Sequence, residues 1–408
     1  MKSSALKTAL LSMVSTALDY YDFIIYIMLT PFLAAVFFAN QTPFVQYAST
    51  LAIFAAGYLA RPIGGLFFSH FADRYGRKKV FLASILLMAF STFSIGLLPS
   101  AEVWGIASPI LLLSCRILQG LAQGSEMPGA ITFVAEHAPP QHRALFVSIT
   151  IAGAGIGSTL ASGINSVLTN SMSTGFLHQD GWRIPFLLGG LLALAGFLIR
   201  KKTTEPMLFL ENTDQKTLPI WHALKHHKVS LLRGIGLIFL PGSMILFALF
   251  LPSFLLLHFA YPLRLSYSIL TASFLWSSLC IIVGGWLSDR FGPRRILTLL
   301  VILTLIVLMP LFGLLHHGTE AILWTFFFSF EALIGLMSGA YPSLLADFFP
   351  TSIRMTGVAM SYNLAYLMVG FIPLLALYVV NRSHTPMAAS FLLIGMGIVS
   401  LLSLIHRS

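Results

Sequence analysis

The sequence predicts an all-α membrane protein: twelve transmembrane helices in two pseudo-symmetric six-helix bundles. Three observations lead there. Of 408 residues, 57% are hydrophobic and only 9% charged, which excludes both an ordinary soluble domain and a disordered chain. The apolar residues gather into segments near or above the roughly 20 needed to cross a bilayer. Two charged motifs in the first half also recur in the second at nearly one offset.

The apolar segments fall at 9–38, 44–69, 80–99, 106–135, 143–170, 183–200, 229–258, 266–288, 296–315, 319–348, 355–380 and 385–406. The longer ones are expected to tilt or to extend past the lipid. Lys2 and Lys7 give the first segment a faint likeness to a signal peptide. Asp19 and Asp22 interrupt it and no small-residue cleavage site follows promptly, so it reads as an uncleaved span. The net charge of +10 does not indicate nucleic acid, because the basic residues lie in short clusters between apolar spans. With the N-terminus inside, nineteen Lys and Arg fall in the even-numbered loops and the tails. Only Arg183, Arg264 and Arg382 fall opposite, while Arg61 and Arg116 stay within spans. That asymmetry predicts an inner-membrane protein with both termini cytoplasmic.

The one long polar connection, 201–228, is read as a cytoplasmic linker between bundles at 1–200 and 229–408, with room for a short amphipathic helix at 220–227. Its histidines read as surface residues, since no partner cluster accompanies them. Cys115 and Cys280 lie inside spans and read as small core residues, with no disulfide framework or CxxC pair. No metal or cofactor is expected beyond a coupling proton.

The repeat is specific. Asp73-Arg74-Tyr75-Gly76-Arg77 after span 2 is echoed by Asp289-Arg290-Phe291-Gly292-Pro293-Arg294 after span 8. Ala135-Glu136-x-x-Pro139-x-x-x-Arg143 after span 4 is echoed by Ala346-Asp347-x-x-Pro350-x-x-x-Arg354 after span 10. Two six-helix halves related by an axis along the membrane normal form a transporter plan, with the solute site near midplane between them.

At these residues the chain resembles the major facilitator superfamily, whose G-x-L-x-D-R-x-G-R-R/K signature is matched by SHFADRYGRKK and GWLSDRFGPRR. Within it the chain looks like the metabolite:proton symporter family, which includes proline/betaine, α-ketoglutarate, citrate and shikimate carriers. LDYYDFIIY resembles that family's first helix, FAAGYLARPIGGLFF its second and CRILQGLAQGSE its fourth; DGWRIPFLLG, FFPTSIR and the SYN at 361–363 add to the likeness. GIASPILLL and FVAEHAP resemble the proline/betaine branch. Ser69 and Ser125 stand where the pattern has Gly, Asp19 where it has Glu, and PGSMILFAL in span 7 lacks the tyrosines and threonine of a proline/betaine carrier. The resemblance implies the major facilitator fold and alternating access.

Asp19 and Asp22 share one helix face at i and i+3, and a charge near the bilayer centre costs roughly 2.5–3.5 kcal/mol. Either both acids reach water at a helix end, or their face lines a polar cavity. The intramembrane charges are Asp19, Asp22, Glu126 and Glu331 against Arg61 and Arg116; this excess of acid predicts that one or two carboxylates carry a proton in some state. Arg116 matches the family's arginine and is expected to pair with a span 1 acid or a solute carboxylate, or else structurally with Glu126. By the resemblance, Asp22 holds the position of the fixed acid, for orientation or coupling, and Asp19 tunes what the cavity accepts. Arg61 is placed toward the cytoplasmic end of span 2, for gating or snorkelling rather than solute contact. Glu331 has no counterpart in the family pattern and is a site residue or the partner of a polar neighbour. Tyr20, Tyr26, Gln119, Gln123 and Asn363 are uncharged candidates for lining the cavity or for packing, and the aromatic ones could hold an ammonium by cation–π attraction.

The loop motifs read as gates. Asp73 would cap a neighbouring helix N-terminus and Arg77 would reach Glu136; Asp289, Arg294 and Asp347 would form the matching set. Gly64, Gly65, Gly153, Gly157, Gly284 and Gly285 would let helices approach closely. The expected activity is proton-coupled uptake of a small polar solute by a functional monomer: a zwitterion such as proline or a betaine, or alternatively a di- or tricarboxylate. No P-loop, nucleophile constellation or metal spacing supports an enzyme, and no appended soluble domain supports a sensor.

Overall fold

Helices account for nearly all of the chain, and no strand occurs among the described residues. The structure, a computed structural model, describes residues 2–75, 77–124, 126–202, 224–351 and 353–405, with side chains for 6–68, 82–124, 126–198, 224–351 and 353–405. Most of the expected linker therefore lies outside the described residues, as do the side chains of Asp73 and Arg77.

Twelve helical spans follow in order. Span 1 is Lys2–Met28 continued by Thr30–Phe37, span 2 Pro43–Tyr75, span 3 Arg77–Leu97, span 4 Ala107–Gln123 continued by Glu126–His137, span 5 Arg143–Ser171 and span 6 Arg183–Lys202. Span 7 is Lys228–Phe259, span 8 Leu263–Phe291, span 9 Pro293–Leu314, span 10 Glu320–Asp347, span 11 Arg354–Val369 continued by Ile372–Ser383, and span 12 Ala388–Ile405. Among the described residues nine helices are long and apolar enough to cross a membrane alone, and a pair bent by 47°, Thr174–Gly181 with Arg183–Leu198, makes a tenth. Spans 3 and 4 complete the twelve. Span 3 has a shorter apolar part, Leu82–Leu97, and span 4 is divided and carries Arg116 and Glu126.

The break in span 1 has a local cause. Pro31 has no N–H to give the Ile27 carbonyl, and the Thr30 hydroxyl donates to it instead at 2.6 Å. Phe32 N–H turns to Leu29 O at 3.0 Å, which frees the Met28 carbonyl. Tyr267 of span 8 donates its hydroxyl there. A backbone acceptor released in the first half is thus satisfied from the second, as a membrane interior requires.

Glycines set the helix contacts, and they do so twice. A Cβ on Gly64 would collide with the Leu121 carbonyl, on Gly120 with that of Gly57, and on Gly124 with that of Arg61. In the second half a Cβ on Gly284 would collide with the Leu336 carbonyl, on Gly335 with that of Ser277, and on Gly339 with that of Ile281. Span 2 therefore maps onto span 8 at an offset of 220 residues, and span 4 onto span 10 at 215. The two halves are the same packing built twice. Span 5 meets span 8 across the halves through Gly155 against Ser278 and Gly285 against Ser148. Cys115 and Cys280 are buried free thiols.

Gly120→Ala should lower stability by about 1–3 kcal/mol, the usual result of overpacking a close contact. Gly175→Ala, where a Cβ meets nothing within 4 Å, should change nothing. Thermal unfolding of the detergent-purified protein distinguishes the two.

Candidate functional site

Between the halves lies a cavity lined by Tyr20, Phe23 and Ile24 of span 1, Tyr58 and Arg61 of span 2, Gln123 of span 4, Ile245, Leu246 and Leu249 of span 7 and Tyr366 of span 11. The space open to the centre of a water molecule is about 10 Å³, room for roughly one water. The conformation is closed around its centre, and an organic solute would have to open it.

Arg61 stands seven residues before Phe68, where the apolar part of span 2 ends. Span 2 runs to Tyr75, so Arg61 sits about 27 Å from one helix end and about 21 Å from the other, at 1.5 Å per residue. It is 7% exposed, and its guanidinium stands 4.1 Å from the Phe23 ring and 4.2 Å from the Tyr58 ring while donating to Gln123 Oε1. From that end of span 2 its side chain turns inward, as a wall of the central cavity rather than toward a membrane edge.

Arg116 is wholly buried. Its Nη1 donates to Gln119 Oε1 at 2.7 Å and to the Phe23 carbonyl at 3.3 Å, and its guanidinium lies 4.4 Å from both the Phe23 and Tyr26 rings. It pairs with neither a span 1 acid nor Glu126 among the described residues. Its Nε and Nη2, which share one edge of the guanidinium, have no partner. That edge faces Gly57, where a Cβ would stand 3.5 Å from Nη2 and 3.6 Å from Nε.

The expected pairing fails because span 1 is rotated. Tyr21 donates to the Pro185 carbonyl at 2.9 Å and Tyr26 to the Thr50 carbonyl at 3.1 Å, tying span 1 to span 6 on one side and span 2 on the other. Asp22, 2% exposed, is thereby turned into the first bundle. A Cβ on Gly189 would lie 2.7 Å from its Oδ1 and 3.1 Å from the Thr92 methyl. Asp19 and Asp22 do share a face, but it borders a second void, again with about 10 Å³ for a water centre, lined by Leu18, Ile85, Met88, Ala193 and Gly196. Asp22 Oδ1 has no hydrogen-bond partner.

Gln119 joins these groups, donating to Thr92 Oγ1 at 2.7 Å while accepting from Arg116. Gln123 donates to the Asp19 carbonyl at 2.9 Å and lines the cavity. Glu126 opens the second helix of span 4, where the helix dipole favours a negative charge. Tyr20 reaches across the halves, its hydroxyl 3.5 Å from that of Tyr362. Asn363 does so too, donating to the Gly124 carbonyl at 2.8 Å. Tyr26 backs Arg116 and does not line the cavity. Glu331 is 2% exposed with Oε1 unpartnered. Sequence reading missed Phe23, Tyr58, Tyr362 and Tyr366. The spacing of Tyr58 three residues before Arg61, and of Tyr362 and Tyr366 four apart around Asn363, was the available signal.

The motif residues make contacts across the halves. Arg143 donates to Asp347 at 2.9 Å, and Arg354 approaches Glu136 at 3.6 Å. Each copy of the repeated motif gives its acid to the arginine of the other. The expected Arg294–Asp347 association is replaced by these; Arg294 donates to the Leu404 carbonyl. Asp289 accepts from the N–H groups of Ala144 and Leu145, 2.9 Å each, capping span 5 of the opposite half.

A sequence profile of the Major Facilitator Superfamily matches residues 12–373. The proline/betaine transporter of Escherichia coli (strain K12) is 31% identical over 400 residues, covering 95% of this chain and 80% of its own. The inner membrane metabolite transport protein YhjE of the same organism is 33% identical over 387 residues, covering 88% and 84%. The crystal structure of a D-xylose–proton symporter aligns with a TM-score of 0.79 at 19% identity, over 97% of this chain and 96% of that one, a likeness of fold.

Reversing one gate pair singly, by Asp347→Arg, should open the motif-bearing end and speed maleimide labelling of a Tyr20→Cys reporter from that side. The double change Arg143→Asp with Asp347→Arg should restore the slow rate, and labelling that ignores both changes would rule the pair out as a closure contact.

Proposed function

This chain belongs to the Major Facilitator Superfamily, and we propose that it is a proton-coupled importer of a small zwitterion of the proline or betaine kind. It is a multi-pass membrane transporter. The reading of its solute rests on Arg116. Burying an ion costs several kcal/mol even after relaxation, and aromatic rings offset only about 2 kcal/mol when desolvated. A guanidinium edge with no counter-ion among the described residues matches the two oxygens of a carboxylate. The name of the proline/betaine relative supports the same solute class.

Asp22 takes the coupling proton. It is buried beside a water-sized void without a cation partner, and a buried carboxylate in that position is stable when neutral. Thr92 stands between the two charges: its hydroxyl accepts from Gln119, which accepts from Arg116, and its methyl shares the space over Gly189 with Asp22. Proton gain at Asp22 and carboxylate binding at Arg116 thus act on one packed cluster. Residues 1–200 and 229–408 move as the two halves, both termini facing the cytoplasm, with the Arg143–Asp347, Arg354–Glu136 and Asp289 contacts breaking when that side opens. Arg61, on the cavity wall with its Nε unpartnered, favours a dicarboxylate as the second reading.

In proteoliposomes, an imposed inward proton gradient should accelerate initial proline or glycine betaine uptake several-fold. Equal rates with and without the gradient would refute symport. Asp22→Asn should abolish accumulation but keep solute exchange, whereas Arg116→Ala should lose both; a dicarboxylate taken up in preference to either zwitterion would select the second reading.

A further inference from the structure

The glycine contacts fix which residues of the two halves correspond. Leu121 and Gly124 of span 4 match Leu336 and Gly339 of span 10, and Gly120 matches Gly335, all 215 residues on. One turn before Gly120 stands Arg116; one turn before Gly335 stands Glu331. The correspondence extends to the helix they face. Gly57 brings its Cα against the Arg116 carbonyl, with a Cβ at 3.2 Å, and Ser277, its counterpart in span 8, donates its hydroxyl to the Glu331 carbonyl at 3.0 Å. Opposite charges therefore occupy equivalent positions in the two bundles. Both are deeply buried, and both carry polar atoms without partners: Nε and Nη2 of Arg116, Oε1 of Glu331. No ion pair reaches Glu331 among the described residues.

We infer that Glu331 is the cation site for the transported solute, the second-half counterpart of Arg116, which holds the carboxylate end. This rests on the zwitterion reading above and adds the group that recognises the positive end. A solute lying across the interface between the halves meets a guanidinium from one and a carboxylate from the other, so its dipole has one favourable direction. The required ligand class is a small molecule with an anionic carboxylate and an ammonium, secondary or quaternary. Ser277 gives its hydroxyl to the Glu331 backbone carbonyl at 3.0 Å and also lies beside the carboxyl group, yet Oε1 is left without a donor. Neither charge lines the closed cavity, so both are engaged as the halves part.

The test compares proline with its carbocyclic analogue cyclopentanecarboxylate, which keeps the carboxylate and lacks the nitrogen, by binding to the purified full chain. Glu331→Gln should weaken proline by about tenfold or more and leave cyclopentanecarboxylate within about twofold, with an unchanged unfolding midpoint. Glu331→Asp keeps the charge but draws it back, and should show a smaller loss with the same selectivity; it carries the test if the Gln variant does not fold. Equal loss of both ligands would assign Glu331 to structure and overturn the inference. So would unaltered proline binding with loss only of gradient-driven accumulation, which would make Glu331 a proton carrier. Failure of the unmodified protein to bind proline at all would instead remove the zwitterion reading, and this one with it.

Discussion

A guanidinium with no counter-ion among the described residues sits at the centre of the first bundle, and much of that bundle is arranged to tolerate it. Phe23 and Tyr26 present ring faces to Arg116, Gln119 and the Phe23 carbonyl accept from it, and Gly57 brings bare backbone to its remaining edge. These contacts soften the desolvation of the charge without neutralising it. A protein selected for stability alone would pair such a group or replace it with an apolar one. Its persistence makes sense where the missing partner arrives and leaves.

The closure contacts at the motif-bearing end follow from a different constraint, reversibility. Asp347 and Glu136 are 43% and 40% exposed, so each ion pair contributes about 0–1 kcal/mol. Asp289 adds two hydrogen bonds to the N-terminus of span 5, of the charged class that contributes about 1.5–3 kcal/mol, helped by the helix dipole. The sum is modest, of a size that the differential binding energy of a small solute can offset.

The fold was legible because its signals are redundant: twelve apolar runs, a basic bias in alternate loops, and two motifs repeated at nearly one spacing. The site was legible only as a set of residue types. Asp19 and Asp22 read correctly as sharing a face, yet nothing in the sequence says which way that face turns. Apart from that face span 1 is largely apolar, as membrane helices are on both lipid and protein sides, so its rotation is set by Tyr21 and Tyr26 meeting carbonyls of other spans. The inward turn of Arg61 was not legible because it is set by Phe23, Tyr58 and Gln123, which stand on three different spans. Arg294 was paired with Asp347 because each motif was read within its own half, whereas Arg143 and Arg354 both reach across.

The two levels of the molecule use the repeat in opposite ways. At the gate, each half contributes one acid and one arginine in the same order, so the pseudo-two-fold axis carries the Arg143–Asp347 pair onto the Arg354–Glu136 pair. A self-complementary motif duplicated once yields two contacts that open together, since the movement that lengthens one lengthens its image. At the centre the symmetry of the backbone is kept and that of the charge is broken: Arg116 in one half, Glu331 at the matching place in the other. Identical charges there would repel across the axis and favour a solute with like ends. An arginine and a glutamate at matching places make the two halves chemically unlike at their centres, with Arg116 Nε and Nη2 and Glu331 Oε1 unpartnered among the described residues. The close glycine packing of spans 2 with 4, and 8 with 10, fixes those two residues at matching registers. The symmetry of the chain thus lies in its helix packing and its paired motifs, and it is broken at the buried residue one turn before Gly120 and Gly335.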